Sequence, residues 1–449
     1  MSMTAAVCNA FRGSILHFLA NPGEAGADHS YQFIPDGLMV VENGRVLALG
    51  GYAELHPTLP AGTQLTDYSG RMILPGFIDT HIHYSQTDVI ASPGKQLLDW
   101  LEHYTFPAEG RFDDMNHATE VAGFFLDELL RNGTTTALVF GTTHRQSLDA
   151  FFAVAGQRAL RMVAGKVLMD RNCPEFLRDT PDSAYADSAA LIERWHGQGR
   201  LGYAITPRFA VTSSDAQLAQ VGELARNYPE VHIHTHLAEN MDEVAWVTRL
   251  FPWSRSYLDV YDHYGLLRER AVYAHCIHLD EDDRQRMVDS GATAAFCPTS
   301  NLFLGSGLFD LAGALDSGMR VGVATDVGGG TSFSMLRTLG ESYKVAQLRG
   351  YTLSPLQAFY LATLGNAKAL GLDDNIGNLA PGKEADFIVL DPESTPLMAR
   401  RMRSATTLIE RLFIFMTLGD DRAVAATYIL GELVHTRACL PSAENLSNE

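Results

Sequence analysis

Cysteine is scarce and poorly placed for cross-linking. The 449 residues contain five (Cys8, Cys173, Cys276, Cys297 and Cys439), an odd number, widely spaced and without a CxxC pair. That pattern reads as reduced, buried thiols rather than a disulfide framework. Positive charge is also in short supply: 34 Lys and Arg stand against 53 Asp and Glu, a net charge of -19 with the acidic residues scattered. Nucleic acid and anionic membrane are therefore excluded as partners, whereas an uncharged small ligand is not. No run approaches the ~20 apolar residues of a membrane span. The start, MSMTAAVCNAFRG, lacks the basic region and apolar stretch of a signal peptide, so the cytoplasm is the expected compartment.

Apolar residues are plentiful, at 46% of the chain. Near the start, IPDGLMVVENGRVLALGGY holds two apolar runs joined at Asn43-Gly44, a hairpin signal. Near the end, Ala385 to Leu390 reads as a strand, and Ala426 to Val434, broken at Gly431-Glu432, as a second hairpin. The two ends are expected to pair into one small β domain. Between them, β-rich runs recur at Met72–His83, Thr134–Gly141, Arg161–Met169, Leu201–Pro207, Val231–Leu237, Val272–Ile277, Thr293–Cys297 and Arg320–Thr325. Most intervening segments carry helical periodicity. In Glu120–Arg131, Val121, Phe124, Phe125 and Leu129 share a face, and Asn132-Gly133 supplies a stop. Eight strands alternating with helices predict an α/β fold, a (β/α)8 barrel. The segment 86–114 breaks the rhythm and carries Trp100, Tyr104 and Phe106. It reads equally as a lid or as a helix packed on the barrel rim.

The chemistry gathers at strand ends. In Gly76-Phe77-Ile78-Asp79-Thr80-His81-Ile82-His83, strand alternation turns His81 and His83 to one side, where they can chelate a metal. Alone, the motif fits a pair of solvent-facing histidines equally well. His232, His234 and His236 share a face of another strand. Barrel active sites lie at the carboxyl ends of strands, so His236 is the expected ligand and His232 and His234 interior structural residues. His275 and Asp326 end two further strands. Three histidines with one aspartate (His81, His83, His236, Asp326) make an N/O donor set suited to Zn²⁺ or Fe²⁺. A metal held there lowers the pKa of its water from 15.7 to about 7. Asp326 can take the water's proton, Glu239 can move protons to a ring nitrogen and a leaving amine, and His275 can orient the attacking oxygen.

These residues resemble the amidohydrolase superfamily across nearly the whole chain, from PGFIDTHIH through the His236 and His275 strand ends and Asp326 to Gly377–Asp386. The resemblance implies a (β/α)8 barrel over 71–383, a β-sandwich built from 1–70 and 384–440, and a polar tail at 441–449. Binuclear members use a lysine from the fourth strand; here that strand runs into ITPRF, which implies one metal and leaves Lys166, on the third strand, a structural or ion-pair role. HIHYSQ, LLDWLEHYTFPAE, TPRFA, HTHLAEN, FCPTSNLFLGSGLF and TDVGGGTSFSML are similar to the guanine-deaminating branch. That branch implies zinc on His81, His83, His236 and Asp326. It implies purine contacts from Gln86, Arg208 and Phe209 beside His83, His236, Glu239 and Asp326, and a homodimer. A related hydrolase acting on a triazine, cytosine or another aminopurine is the alternative. A non-catalytic scaffold is a further one, and it predicts missing ligands where none is missing.

Several signals are discounted. Gly377 to Lys383 fits a phosphate loop, but Glu384 stands where Ser or Thr must bind Mg²⁺. Gly328-Gly329-Gly330 reads as a tight loop giving backbone room beside the metal. His103, His117, His144 and His196 read as surface residues, and Leu412–Leu418 as buried core or an oligomer contact.

Overall fold

Asn43 and Gly44 both take left-handed backbone, with φ of 52° and 76°, the geometry of a two-residue type I′ turn. They join β2 (Tyr31–Glu42) to β3 (Arg45–Gly51), and β1 (Cys8–Phe18) pairs antiparallel with β2. β4 (Gln64–Pro75) lies parallel to β1. The computed structural model describes residues 8–25, 27–94 and 96–437, so Cys439 and the 441–449 tail fall outside it.

β4 corrects one sequence reading. Met72–His83 is not a single strand: Met72 to Pro75 belong to the terminal sheet, and β5 (Phe77–His83) opens the barrel. The break is Gly76, where a Cβ would overlap the Thr135 side chain, so only glycine lets the chain cross between the two sheets.

The barrel continues through β6 (Thr134–Phe140), β7 (Arg161–Gly165), β8 (Val167–Leu168), β9 (Gly202–Pro207), β10 (His232–Leu237), β11 (Ala271–His275), β12 (Thr293–Phe296) and β13 (Arg320–Val323). The expected third strand is split at Lys166, whose Nζ is paired at 2.7 Å with Asp179 and fully buried. All the paired neighbours are parallel, in the order β5-β6-β7-β9-β10-β11-β12-β13, with β8 beside β9. The seam between β13 and β5 is closed by a side chain. Asn366 Nδ2 donates to the carbonyls of Ile78 (2.6 Å) and Val323 (2.8 Å), and its Oδ1 accepts the Val323 N–H (2.9 Å). Just beyond, Asp326 N–H donates to the His81 carbonyl and His83 N–H to that of Val327. Ile78, Leu138, Val163, Ala204, Val272 and Ala274 fill the interior below.

The chain then returns through β14 (Phe387–Leu390), β15 (Val424–Ile429) and β16 (Glu432–Thr436). The last turn is Leu430-Gly431, both with positive φ, one residue earlier than the sequence suggests. β14 pairs antiparallel with the free edge of β4. Because β4 thus takes a partner on each side, the termini form one mixed seven-stranded sheet, which folds over on itself so that Phe11 of β1 faces Phe387 of β14 and Tyr428 of β15 at 4.8 and 5.0 Å. Its core centres on Phe11, Phe387 and Tyr428, the last two stacked at 4.4 Å.

The barrel helices follow their periodicity with one exception. In Met115–Arg131 the buried stripe is Ala118, Val121, Ala122, Phe125, Leu126 and Leu129, and Phe124 is 55% exposed. At 100° per residue Phe124 sits off the stripe that Val121 and Phe125 define. Asp114 caps this helix through the Asn116 N–H. Leu408–Leu418 buries Leu412, Ile414, Phe415 and Met416 as core. Cys8, Cys276 and Cys297 are buried, and Cys173 half-buried, all as free thiols. Among the described residues no helix is long and apolar enough to cross a membrane.

Candidate active site

At the carboxyl ends of the barrel strands the imidazoles converge. His81 Nε2 lies 3.2 Å from His83 Nε2, which is 3.4 Å from His236 Nε2. Asp326 Oδ1 lies 3.1 Å from His81 Nε2 and 3.4 Å from His83 Nε2. His81, His83 and Asp326 are buried and His236 is half-buried. Such a knot of ring nitrogens lacks the protons to satisfy itself. The donor set instead matches a cation: a tetrahedral Zn²⁺ with bonds of ~2.0–2.1 Å has donor edges of roughly 3.3–3.4 Å. Two overlapping trios have donor atoms within 4.8 Å of one another, His81/His83/His236 and His81/His275/Asp326.

Hydrogen bonds behind the imidazoles aim them. His236 Nδ1–H donates to the Arg208 carbonyl at 2.7 Å, and His81 Nδ1 meets His234 Nε2 at 2.7 Å. Outer partners of this kind fix the tautomer that leaves Nε2 free for a metal. Burial keeps His83 (about 3) and His236 far below the ordinary histidine value, hence neutral. Burial opposes ionisation of Asp326, yet His81, His83 and His275 hold its carboxyl well below the usual range. Asp79, behind the site, is pushed up to about 7 by burial and accepts from the Thr325 hydroxyl at 2.5 Å.

Backbone conformation completes the aim. Ala238, His275, Cys276 and Asp326 all have positive φ. Non-glycine residues rarely adopt that region and concentrate there at functional sites. Gly330 closes the turn after Asp326, and a Cβ there would overlap the Thr325 carbonyl, so the triple glycine gives backbone room as expected.

Above the imidazoles lies a cavity of about 390 Å³, counting its mouth. His83, Gln86, Arg208, Phe209, His236, Glu239, His275 and Asp326 all line it, and His81 lies buried beneath, so every sequence-predicted site residue is brought together. Glu239 Oε1 accepts from the Ser306 hydroxyl at 3.0 Å, and its Oε2 faces His275 Nε2 at 3.3 Å. Burial, reinforced by the charge of Asp326, pushes Glu239 up to about 8, so it holds a proton near neutrality. His275 Nδ1–H donates to Asn301 Oδ1 at 2.9 Å, which leaves its Nε2 lone pair toward Glu239.

Sequence reasoning missed the roof and the outer partners. Segment 86–114 is a helical run on the rim whose Leu97, Trp100 and Leu101 cover the cavity. Leu304 lines the pocket from the side. Glu109, on the same segment, is fully buried against Arg208. Helical spacing could have flagged it, since Leu97, Trp100, Leu101, Thr105 and Glu109 fall on one face. His232 and His234 are interior and hydrogen-bonded as expected: His234 Nε2 meets His81 Nδ1 at 2.7 Å, and His232 Nε2–H donates to the Leu370 carbonyl at 2.8 Å. Of the four histidines read as surface residues, only His103 is exposed. His117, His144 and His196 are half-buried, and His196 Nδ1 accepts the Tyr203 N–H.

A parallel (β/α)8 barrel with buried imidazoles and a carboxylate at its carboxyl end, opening on one small cavity, defines the class of metal-dependent barrel hydrolases. The chain belongs to the amidohydrolase family, whose model matches residues 72–434. It is 52% identical over 431 residues to a guanine deaminase of Escherichia coli, covering 95% of this chain and 98% of that protein. The E. coli guanine deaminase structure superposes with a TM-score of 0.93, covering 96% of this chain and all of that one. A guanine deaminase of C. acetobutylicum, solved with guanine in its active site, has a TM-score of 0.86 at 28% identity, covering 95% and 100% of the two chains.

Proposed function

We propose that this protein is a guanine deaminase that hydrolyses guanine to xanthine and ammonia with one Zn²⁺ per chain. The observation that carries the reading is the placement of a buried guanidinium and a protonated carboxyl, Arg208 and Glu239, around a small cavity floored by the imidazole cluster. The relatedness to the E. coli and C. acetobutylicum enzymes supports the same substrate.

His81, His83, His236 and Asp326 would hold the zinc. When bound, it supplies Lewis acidity and a water acidified to about pKa 7. Arg208 offers donors to the guanine carbonyl, and Phe209 walls the ring. Gln86 is partly committed. Its Nε2 lies 3.1 Å from Glu109 and 3.0 Å from His83, and its Oε1 accepts the Gly328 N–H, so only the second lone pair of that carbonyl is open to the ligand. Asp326 accepts the proton of the attacking water. Glu239 gives its proton to a ring nitrogen as the C–O bond forms, takes up the proton of the added hydroxyl, and passes it to the amine as the C–N bond breaks and ammonia leaves; the water's first proton, held by Asp326, then returns to Glu239 and restores both groups. His275 holds the attacking oxygen in line. Leu97, Trp100 and Leu101 exclude bulk water from above.

The test is guanine loss with xanthine appearance, run against adenine, cytosine and triazines, with metal analysis of the same preparation. Turnover of cytosine or a triazine but not guanine replaces the substrate. Iron in place of zinc corrects the metal, and absence of both metal and hydrolysis leaves a scaffold. We further infer a homodimer, to be checked by light scattering, and a cytoplasmic location, to be checked by fractionation.

A further inference from the structure

We infer that Glu109 is a positioning residue that sets both the aim and the net charge of the pocket, so that the cavity takes a neutral purine and rejects an anionic one. The inference rests on the guanine reading above. Glu109 does not line the cavity; it stands behind two groups that do. Its Oε2 accepts from Arg208 Nη1 at 2.7 Å, and its Oε1 accepts from Arg208 Nη1 at 3.0 Å and from Gln86 Nε2 at 3.1 Å. The Phe106 ring, one turn earlier on the same rim segment, lies 5.4 Å from the Arg208 guanidinium. The roof of the cavity therefore carries the clamp for its purine-facing groups.

The charge argument follows from burial. Arg208 is 2% exposed and Glu109 0%. A guanidinium cannot lose its charge in a protein. Left unpaired at that depth it would be costly, and any anion that reached it would be held. Glu109 cancels the charge while engaging only Nη1, so the remaining donors stay available to a carbonyl. A neutral clamp suits this reaction, because xanthine gives up a ring proton more readily than guanine. The pocket holds the neutral substrate and does not trap the product anion.

Glu109→Gln preserves size but breaks the arrangement. All three contacts on this carboxylate come from donors, so a carboxamide must turn its own N–H2 toward one of them. We expect kcat/KM for guanine to fall ~10²-fold, the usual result of misplacing reacting partners. Inhibition by urate, an anionic purine at neutral pH, should tighten at least ~10-fold relative to neutral hypoxanthine. Adding Arg208→Gln should abolish that preference for urate. If Glu109→Gln does not fold, Glu109→Asp serves: it keeps the charge but not the reach, so kcat/KM falls while the urate-to-hypoxanthine ratio stays at the wild-type value. An unchanged ratio in Glu109→Gln, with or without loss of turnover, overturns the inference, as does a raised ratio in Glu109→Asp. Inhibitor affinities are read by calorimetry, so wild-type protein that fails to turn over guanine sinks the substrate reading separately.

Discussion

The imidazole of His236 is aimed by the backbone of Arg208, whose carbonyl accepts its Nδ1–H at 2.7 Å. Arg208 thus serves the cavity twice, through its carbonyl on the metal side and its guanidinium on the ligand side. Only the second service depends on its side chain. Arg208→Lys keeps a cation for Glu109 but loses the planar fork. Its kcat/KM for guanine should fall ~10–10²-fold, the worth of one charged hydrogen bond. Metal content should stay at the wild-type level, and loss of metal in this variant would contradict the division of labour.

Chelation should abolish hydrolysis, and added Zn²⁺ should restore it. Four donors within 3.1–3.4 Å of their neighbours are held together best by a cation, so the metal-free protein should also melt several degrees lower. His236→Ala should reproduce the loss and resist rescue. Full activity in exhaustively chelated protein would refute the metal assignment.

His234 supports the metal site without joining it. His234→Leu leaves His81 Nδ1 without its partner at 2.7 Å and should weaken zinc binding ~10–100-fold. Competition with a chromogenic chelator measures this, and at saturating zinc most of kcat should return. Unchanged zinc affinity would reduce His234 to packing.

Glu384 joins the terminal segment to the floor of the barrel through Arg161 (2.5 Å) and Arg200 (2.7 Å). Burial alone would raise its pKa, but the two guanidiniums more than reverse this and hold it below the ordinary value. A depressed carboxylate contributes stability above its unfolded pKa and loses it as pH falls through the folded one. Glu384→Gln should therefore cost ~2–4 kcal/mol at pH 7, read from urea midpoints, and the gap should close as the pH falls below the ordinary glutamate value and through the depressed folded one. Asp386, in the same cluster, is raised by burial and in small part by the charge of Glu384, so its relief in the variant offsets a little of that gap. A gap that persists in acid would point to packing instead of charge.

Local pattern carried much of this molecule. The parity of β5 and β10 places His81 and His83, then His232, His234 and His236, on shared faces. Asn43-Gly44 and Asn132-Gly133 punctuate where left-handed backbone is needed. Pattern failed where a neighbour decides. Met72 to Pro75 are as apolar as Phe77 to His83, yet they pair with β1 and β14, and only the crowding at Gly76 separates the two stretches.

The sequence by itself determined the chemistry on offer: which strands end in imidazole or carboxylate, the absence of a fourth-strand lysine, and the shortage of positive charge. Those depend on residue type and on periods of 2 and 3.6, which are local. Only the tertiary structure decided that Glu109 stands behind Arg208, 99 residues away in the chain, that Asn366 closes the barrel between Ile78 and Val323, and that Ser306 meets Glu239. No local period encodes such pairs. Each exists because a buried polar group must find a partner, and which partner lies within reach is settled only when the barrel has closed.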